Sequence, residues 1–353
     1  MSASLESGAY IHGIGMITPV GDCAAQTAAS VRAGICRYRE SSVYNKRFMP
    51  MTLALLPEDI LAPPHAELLA PGLTSRQIHM LRLAGAALAE ALETLPAPGE
   101  PPPLFLAGPE SREETPAVDE SFLNHVATQA GCTLDLQASK VFVTGRAGGI
   151  EALSAAMDEL DRGRKYALVG GVDSCRDLSM LAAWDREDRV LAPGVPDGFV
   201  PGEGACFLLL GSPKPTTGNT PNVLIRSPGI ADEPGHRYSA EPHTGDGLDR
   251  AIRLALQANG VAPIRTVLCS LNGESLGGRE WGVAALRSAS SFADPLRVEH
   301  PADCLGDIGA AFGPLLVGLA AVGVEGGYIQ GPALVWCASD FEKRAALLVT
   351  LNT

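Results

Sequence analysis

The chain has 353 residues, 46% hydrophobic and 19% charged, enough to bury one large core or two intermediate ones in a globular protein. Its net charge of −13 disfavours a nucleic-acid polyanion as a general partner, because phosphate binding relies on clustered Lys and Arg. The cysteines at 23, 36, 132, 175, 206, 269, 304 and 337 have no C-x-x-C spacing, so they read as reduced core thiols of a cytoplasmic protein rather than a disulfide frame or zinc site.

In chain order, residues 1–9 lack a basic region followed by an apolar core, so no secretory signal is expected. Residues 10–18 read as an opening strand and turn. Gly13 and Gly15 resemble the start of a dinucleotide fingerprint, but Thr18 stands where its third glycine belongs, and no nucleotide cofactor is expected. Asp22 is expected to cap a helix running to about Ala33. Residues 35–73 lapse into an irregular insertion with Pro50, Pro57, Pro63 and Pro64. Its first part carries Arg37, Arg39, Lys46 and Arg47 against Glu40 alone, either a solvated surface or a docking patch for an acidic partner. Thr74 or Ser75 then opens a helix to about Leu95, with Ile78, Leu81 and Leu88 inward. A Pro-rich break over 96–103, a strand over 103–107 and a helix over 117–130 follow.

Residues 141–173 read as a complete strand, turn, helix, strand unit. Val141, Phe142 and Val143 suit a buried strand, and Gly145-Arg146-Ala147-Gly148-Gly149 is a tight turn. Ile150, Leu153, Met157 and Leu160 share one helix face. The run 166–172 is apolar on both faces, as a helix-covered parallel sheet requires. A side chain at the apex of such a turn sits at a helix N-terminus, which favours anions and thiolates. That side chain is Arg146.

The segment Asp197-Gly198-Phe199-Val200-Pro201-Gly202-Glu203-Gly204-Ala205 leads into a strand over 206–211, with Glu203 read as structural. The polar, turn-rich stretch 213–221 is the best internal boundary, separating an N-terminal half (1–212) from a C-terminal half (222–353). Strand and helix then alternate again: strands over 223–227, 266–271 and 296–299, helices around Leu248 and over 280–288, and a final hairpin of 333–338 with 345–351. The apolar stretch 308–324 falls short of the roughly 20 residues a membrane span needs and contains Pro314, so it reads as a buried helix. This alternation argues for two related α/β halves sharing buried helices in one compact unit.

The order of these motifs resembles the thiolase fold and, within it, the β-ketoacyl synthase family of condensing enzymes. The segment 11–21 resembles the family's opening strand, Leu168-Val169-Gly170-Gly171-Val172-Asp173 its G-G-x-(D/E) strand end, and the segment from Asp197 to Ala205 its D-G-F-x-x-G-E-G-A stretch. The resemblance implies two βαβαβ halves in an αβαβα layered arrangement. It also implies a degenerate member, because the family's reactive Cys, in an A-C-S-S-G turn, falls on Arg146. The first catalytic His, in N-A-H-G-T, falls on Glu274; the Lys and second His of K-S-x-x-G-H fall on Ala302 and Asp307. The glycine-rich G-F-G-G-x-N-A segment becomes Asp340-Phe341-Glu342-Lys343-Arg344-Ala345-Ala346. Decarboxylative condensation needs a thiolate and two neutral imidazole donors, so no catalytic residue is expected, and Arg146 is expected to pair with Glu274 or Asp307.

Other chemistries are open. Gly273-Glu274-Ser275-Leu276-Gly277 fits a G-x-S-x-G elbow, making Ser275 an alternative nucleophile for acyl transfer or hydrolysis with Glu274 or Asp307; the only downstream His is His300. His300, Asp303 and Asp307 have helical ligand spacing, but Pro301 breaks it, and no metal site is expected. The expected role is binding: as a homodimer, or a heterodimer with a thiolase-like chain, paired through the strand over 140–144. An adaptor or chaperone role, with a protein effector of type VI secretion or an acyl carrier protein as partner, belongs to the same expectation; the altered chemistry above and a chain-length-factor-like subunit of a polyketide or fatty-acid synthase are the alternatives.

Overall fold

The computed structural model describes residues 8–70, 72–96, 99–110, 117–212, 222–257 and 263–351. The first half runs β1 (Gly8–Ile17), α1 (Ala24–Arg32), β2 (Arg39–Tyr44), β3 (Pro50–Leu53), α2 (Ser75–Leu92), β4 (Leu104–Ala107), α3 (Glu120–Ala130), β5 (Lys140–Phe142), α4 (Gly148–Asp161), β6 (Tyr166–Ser174), α5 (Leu178–Arg186) and β7 (Glu203–Gly211). The second runs β8 (Val223–Arg226), β9 (Gly229–Asp232), α6 (Asp246–Gln257), β10 (Ile264–Cys269), α7 (Ser275–Arg287), β11 (Phe292–Glu299), α8 (Ala302–Leu305), α9 (Phe312–Glu325), β12 (Ala333–Ala338) and β13 (Lys343–Leu351).

The strand order is β11-β10-β12-β13-β8-β1-β7-β6-β4-β5. Its two ends mirror each other: β4 lies parallel to β5 and β6, and β10 parallel to β11 and β12. Antiparallel pairs β6–β7 and β7–β1 correspond to β12–β13 and β13–β8. The sheet is therefore mixed. Apolar clusters place α2 and α3 over one outer face, α6 and α7 over the other, and α4 and α9 between the two strand sets. That is a thiolase-like α/β arrangement of five layers. All of β7 is buried, as strands covered on both faces must be.

The two inner helices, α4 and α9, position the site. A Cβ on Gly149 would lie 2.3 Å from Pro314 Cδ, and one on Gly313 would lie 2.8 Å from Gly149 Cα. The helices therefore touch backbone to backbone, which only glycine permits. Their N-terminal ends, and the turns that feed them, are brought side by side.

Several expectations need correction. The cap of α1 is Cys23, whose Sγ accepts from the Gln26 amide at 3.5 Å, not Asp22. Asp22 stands one residue too early, and its own amide donates to Gln26 Oε1. The insertion 35–73 is not irregular throughout: β2 and β3 pair as an antiparallel hairpin, with Pro50 tolerated at the start of an edge strand. Helix α5 and strand β9 went unanticipated, although Asp177 caps α5 through Ser179 and Met180 amides at 2.8 and 3.1 Å. The boundary stretch 213–221 lies outside the described residues.

Candidate functional site

Arg146 sits in a short turn, Gly145–Ala147, between β5 and α4, entered through Gly145 at φ 65. The same device, Gly309 at φ 52 opening the turn Gly309–Ala311, precedes α9. Asp307 lies two residues upstream of that second turn, so the contact between α4 and α9 places it opposite Arg146. The Arg146 side chain is 12% exposed and its Nε lies 3.2 and 3.1 Å from the two Asp307 carboxylate oxygens. Its Nη2 donates to Asp307 Oδ2 and its Nη1 to Asp340 Oδ1, the latter at 3.0 Å. Of the two carboxylates offered by the sequence, Asp307 is the direct partner.

Glu274 is held by a different cation. Arg189 forks onto it with Nε–Oε1 2.8 Å and Nη2–Oε2 2.9 Å, a bidentate geometry, and reaches Asp340 Oδ2 at 2.6 Å through Nη1. Arg237 adds a contact to Glu274 Oε1 at 2.9 Å. Asn272 Nδ2 bridges the two clusters, donating to Glu274 Oε2 at 3.1 Å and Asp307 Oδ2 at 2.7 Å. Three guanidiniums thus lock Glu274, Asp307 and Asp340 into one network. Sequence reasoning missed Arg189 and Arg237. Neither lies in a motif; Arg189 follows the unanticipated α5, and Arg237 sits in the loop before α6. Asp340 was visible only as a lost glycine.

The electrostatics follow from burial and pairing. Burial opposes the Arg146 charge, but Asp307 and Asp340 overcome it and raise its pKa. For Asp340, burial favours the neutral acid, yet Arg146, Arg189 and Arg237 hold it well below the usual carboxylate range. Glu110, at the end of β4, accepts the Asp340 and Phe341 amides at 3.0 and 3.1 Å. Burial, and then the Asp340 charge, push its carboxyl up to about 7. The Ala147 amide at the head of α4 already donates to Ser339 Oγ at 3.0 Å. The space left beside Arg146, Asn272 and Asp340 is about 40 Å³, whereas an outer cleft bounded by Arg47, Asp197, Arg237 and Glu274 measures about 370 Å³.

The other sequence-derived candidates are not joined to this network. Ser275 opens α7, and its Oγ donates to Asp197 Oδ2 at 2.8 Å rather than meeting an imidazole. His300, the only histidine downstream, pairs with exposed Asp303 at 2.7 Å. The elbow reading therefore lacks its base. Ala302 is buried in α8, where its carbonyl accepts from the Tyr38 hydroxyl. Burial raises the pKa of both Cys304, to about 11, and Cys175. Among the described residues no cluster of His, Cys, Asp and Glu could hold a metal ion. Glu203, fully buried, accepts the Leu56 amide at 2.8 Å and the Ser174 hydroxyl at 2.9 Å, and pairs with Arg176 at 2.9 Å. It fastens the insertion to the sheet.

Comparison with known proteins agrees with this architecture. Residues 82–214 match the family model of the β-ketoacyl synthase N-terminal domain. A Streptomyces coelicolor protein named as actinorhodin polyketide β-ketoacyl synthase 2 is 30% identical over 140 residues, 35% of this chain. The match spans a third (33%) of that relative's length. Over residues 82–214 the chain is similar to the N-terminal domain of β-ketoacyl synthases.

Solved ketosynthase structures cover the whole fold. The ishigamide ketosynthase/chain length factor superposes with a TM-score of 0.76 at 18% identity, over 99% of this chain and 100% of that one. A ketosynthase in complex with its chain length factor from Xenorhabdus doucetiae gives 0.73 at 17%, over 100% of both chains. A type II polyketide ketosynthase in complex with an acyl carrier protein gives 0.75 at 14%, over 99% and 100%. No helix among the described residues is long and apolar enough to cross a membrane.

Proposed function

We propose that this chain is a non-condensing, chain-length-factor-like subunit that pairs with a cysteine-bearing ketosynthase. The observation that carries the reading is the filled pocket. The space bounded by Arg146, Glu274 and Asp340 is about 40 Å³, against the roughly 300–1,000 Å³ of a pocket that takes an organic ligand. A guanidinium has no lone pair with which to accept an acyl group, and the donors of Arg146 and Arg189 that could stabilise an enolate or oxyanion are already bonded to Asp307, Asp340 and Glu274. We place this above an adaptor or chaperone role because the neighbours that cover the whole chain are ketosynthase and chain-length-factor assemblies.

The sheet edges support a pairing surface. Strand β5 ends the sheet and bonds only to β4 among the described strands, and it carries Lys140, Val141 and Phe142 with no proline. The opposite edge, β11, is blunted by Pro295 and by the charges of Arg297 and Glu299. Isolation of the tagged chain from its native cells is expected to bring down a cysteine-bearing ketosynthase in one-to-one ratio. Val141→Lys should abolish that co-purification without changing the far-UV circular dichroism. Recovery of the chain free of any thiolase-like partner would contradict the reading.

A further inference from the structure

The cavity of about 40 Å³ beside the charge network is walled in part by the first turn of α7, through Leu276 and Gly277, by Trp336 of β12, and by Arg237. A helix start leaves up to four amides without an intrahelical partner and carries partial positive charge. The N-cap of α7, Glu274, returns no side-chain bond to that turn, since Arg189 takes both its oxygens. Ser275 gives its amide to Asp197 at 2.6 Å, and the next two residues are those at the cavity wall.

Two buried donors from other elements converge on the same space. Trp336 is 1% exposed, and its Nε1 has no hydrogen-bond partner among the described residues. Arg237 Nε has none either, standing 3.7 Å from Asp340 Oδ1. Burial, and then the charge of Arg189, hold the Arg237 pKa below its ordinary value, whereas those of Arg146 and Arg189 are raised. Arg237 is thus the least compensated cation of the network. Indole and guanidinium nitrogens only donate. The carboxylates at the wall need no further donor: Glu274 and Asp340 have both oxygens bonded to guanidiniums, and Glu280 lies between Arg344 at 2.6 Å and His243 at 3.8 Å. An occupant that accepts without donating fits this wall better than water, which must place two protons of its own. We propose that the cavity binds one monatomic anion of halide size, held by Trp336 Nε1, Arg237 Nε and the N-terminal turn of α7. The space exceeds the roughly 10–15 Å³ that one water requires and falls far below that of an organic acid. No residue of β5 lines it, so the site does not depend on the pairing proposed above.

Thermal unfolding in sodium chloride, bromide and gluconate at equal ionic strength tests this, because general screening is then the same. Chloride and bromide are expected to raise the melting temperature above that in gluconate by about 2 °C or more. Trp336→Phe keeps an aromatic ring and removes the N–H; it should lose most of that halide-specific rise. Crystals of the wild-type chain grown in bromide should show an anomalous peak within hydrogen-bond reach of Trp336 Nε1, a readout that needs no variant. Water density in the cavity without a bromide peak, or a halide-specific rise as large in Trp336→Phe as in the wild type, would overturn the proposal.

Discussion

Arg146→Met is expected to destabilise the fold by about 3–5 kcal/mol, because it leaves a buried carboxylate without its charge partner. Asp307 is the residue exposed by that change: its side chain is 3% accessible, and Asn272 is the other side chain bonded to it. Asp340 would keep Arg189. For a chain of this size the loss should lower the melting temperature by on the order of 10 °C. The double variant Arg146→Met/Asp307→Asn should recover at least half of the lost stability, since the uncompensated charge goes with the second change. Equal melting temperatures for the single and double variants would mean that the pair is not coupled. The comparison matters because a buried ion pair does not by itself stabilise a fold; what is costly is removing one member.

The second large effect concerns Glu110, a fourth carboxylate beside three guanidiniums. Its pKa in the folded chain is pushed up to about 7, from an ordinary value of 4.5, by burial and by Asp340. Between those pH values the folded state holds a proton that the unfolded state has released. Stability therefore falls as pH rises through this window and levels off above about pH 7, with a full loss of about 3 kcal/mol from this one group. Asp340 acts with the opposite sign. Its depressed pKa contributes stability above the ordinary carboxylate range, and that contribution is lost as pH falls through its folded value. Urea unfolding at pH 5 and pH 8 should show the Glu110 term directly as the difference from Glu110→Gln. The variant should be the more stable at pH 8, and its stability should change less between the two pH values. Parallel profiles for the two proteins would remove Glu110 as the source.

How much of this was legible in the sequence depends on what kind of interaction places each residue. Long apolar runs and turn glycines are local signals, so the unit from β5 through β6 and the buried α9 could be read directly. The segment ending in Gly202-Glu203-Gly204-Ala205 carried the resemblance to the synthases, and it drew attention to Arg146, Glu274 and Asp307, which the fold gathers into one network. What could not be read was which acid meets which base. That is decided by the contact of α4 with α9 at Gly149 and Gly313, which sets Asp307 rather than Glu274 against Arg146. Arg189 and Arg237 were invisible for the same reason: each comes from a stretch without periodicity or motif and acquires meaning only through the fold. The hairpin in the insertion was hidden by its prolines, which favour an irregular reading until Pro50 is seen at the edge of a two-stranded sheet.

The central claim, that the pocket is closed to acyl chemistry by guanidinium–carboxylate pairing, is tested most directly by intact mass. The purified chain would be incubated with acyl-CoA and with acyl-loaded carrier protein, then measured whole and after proteolysis, with exposed Cys36 mapped separately. No acyl mass is expected on the peptide carrying residues 145–149 or on Ser275. An acyl adduct at either place would contradict it.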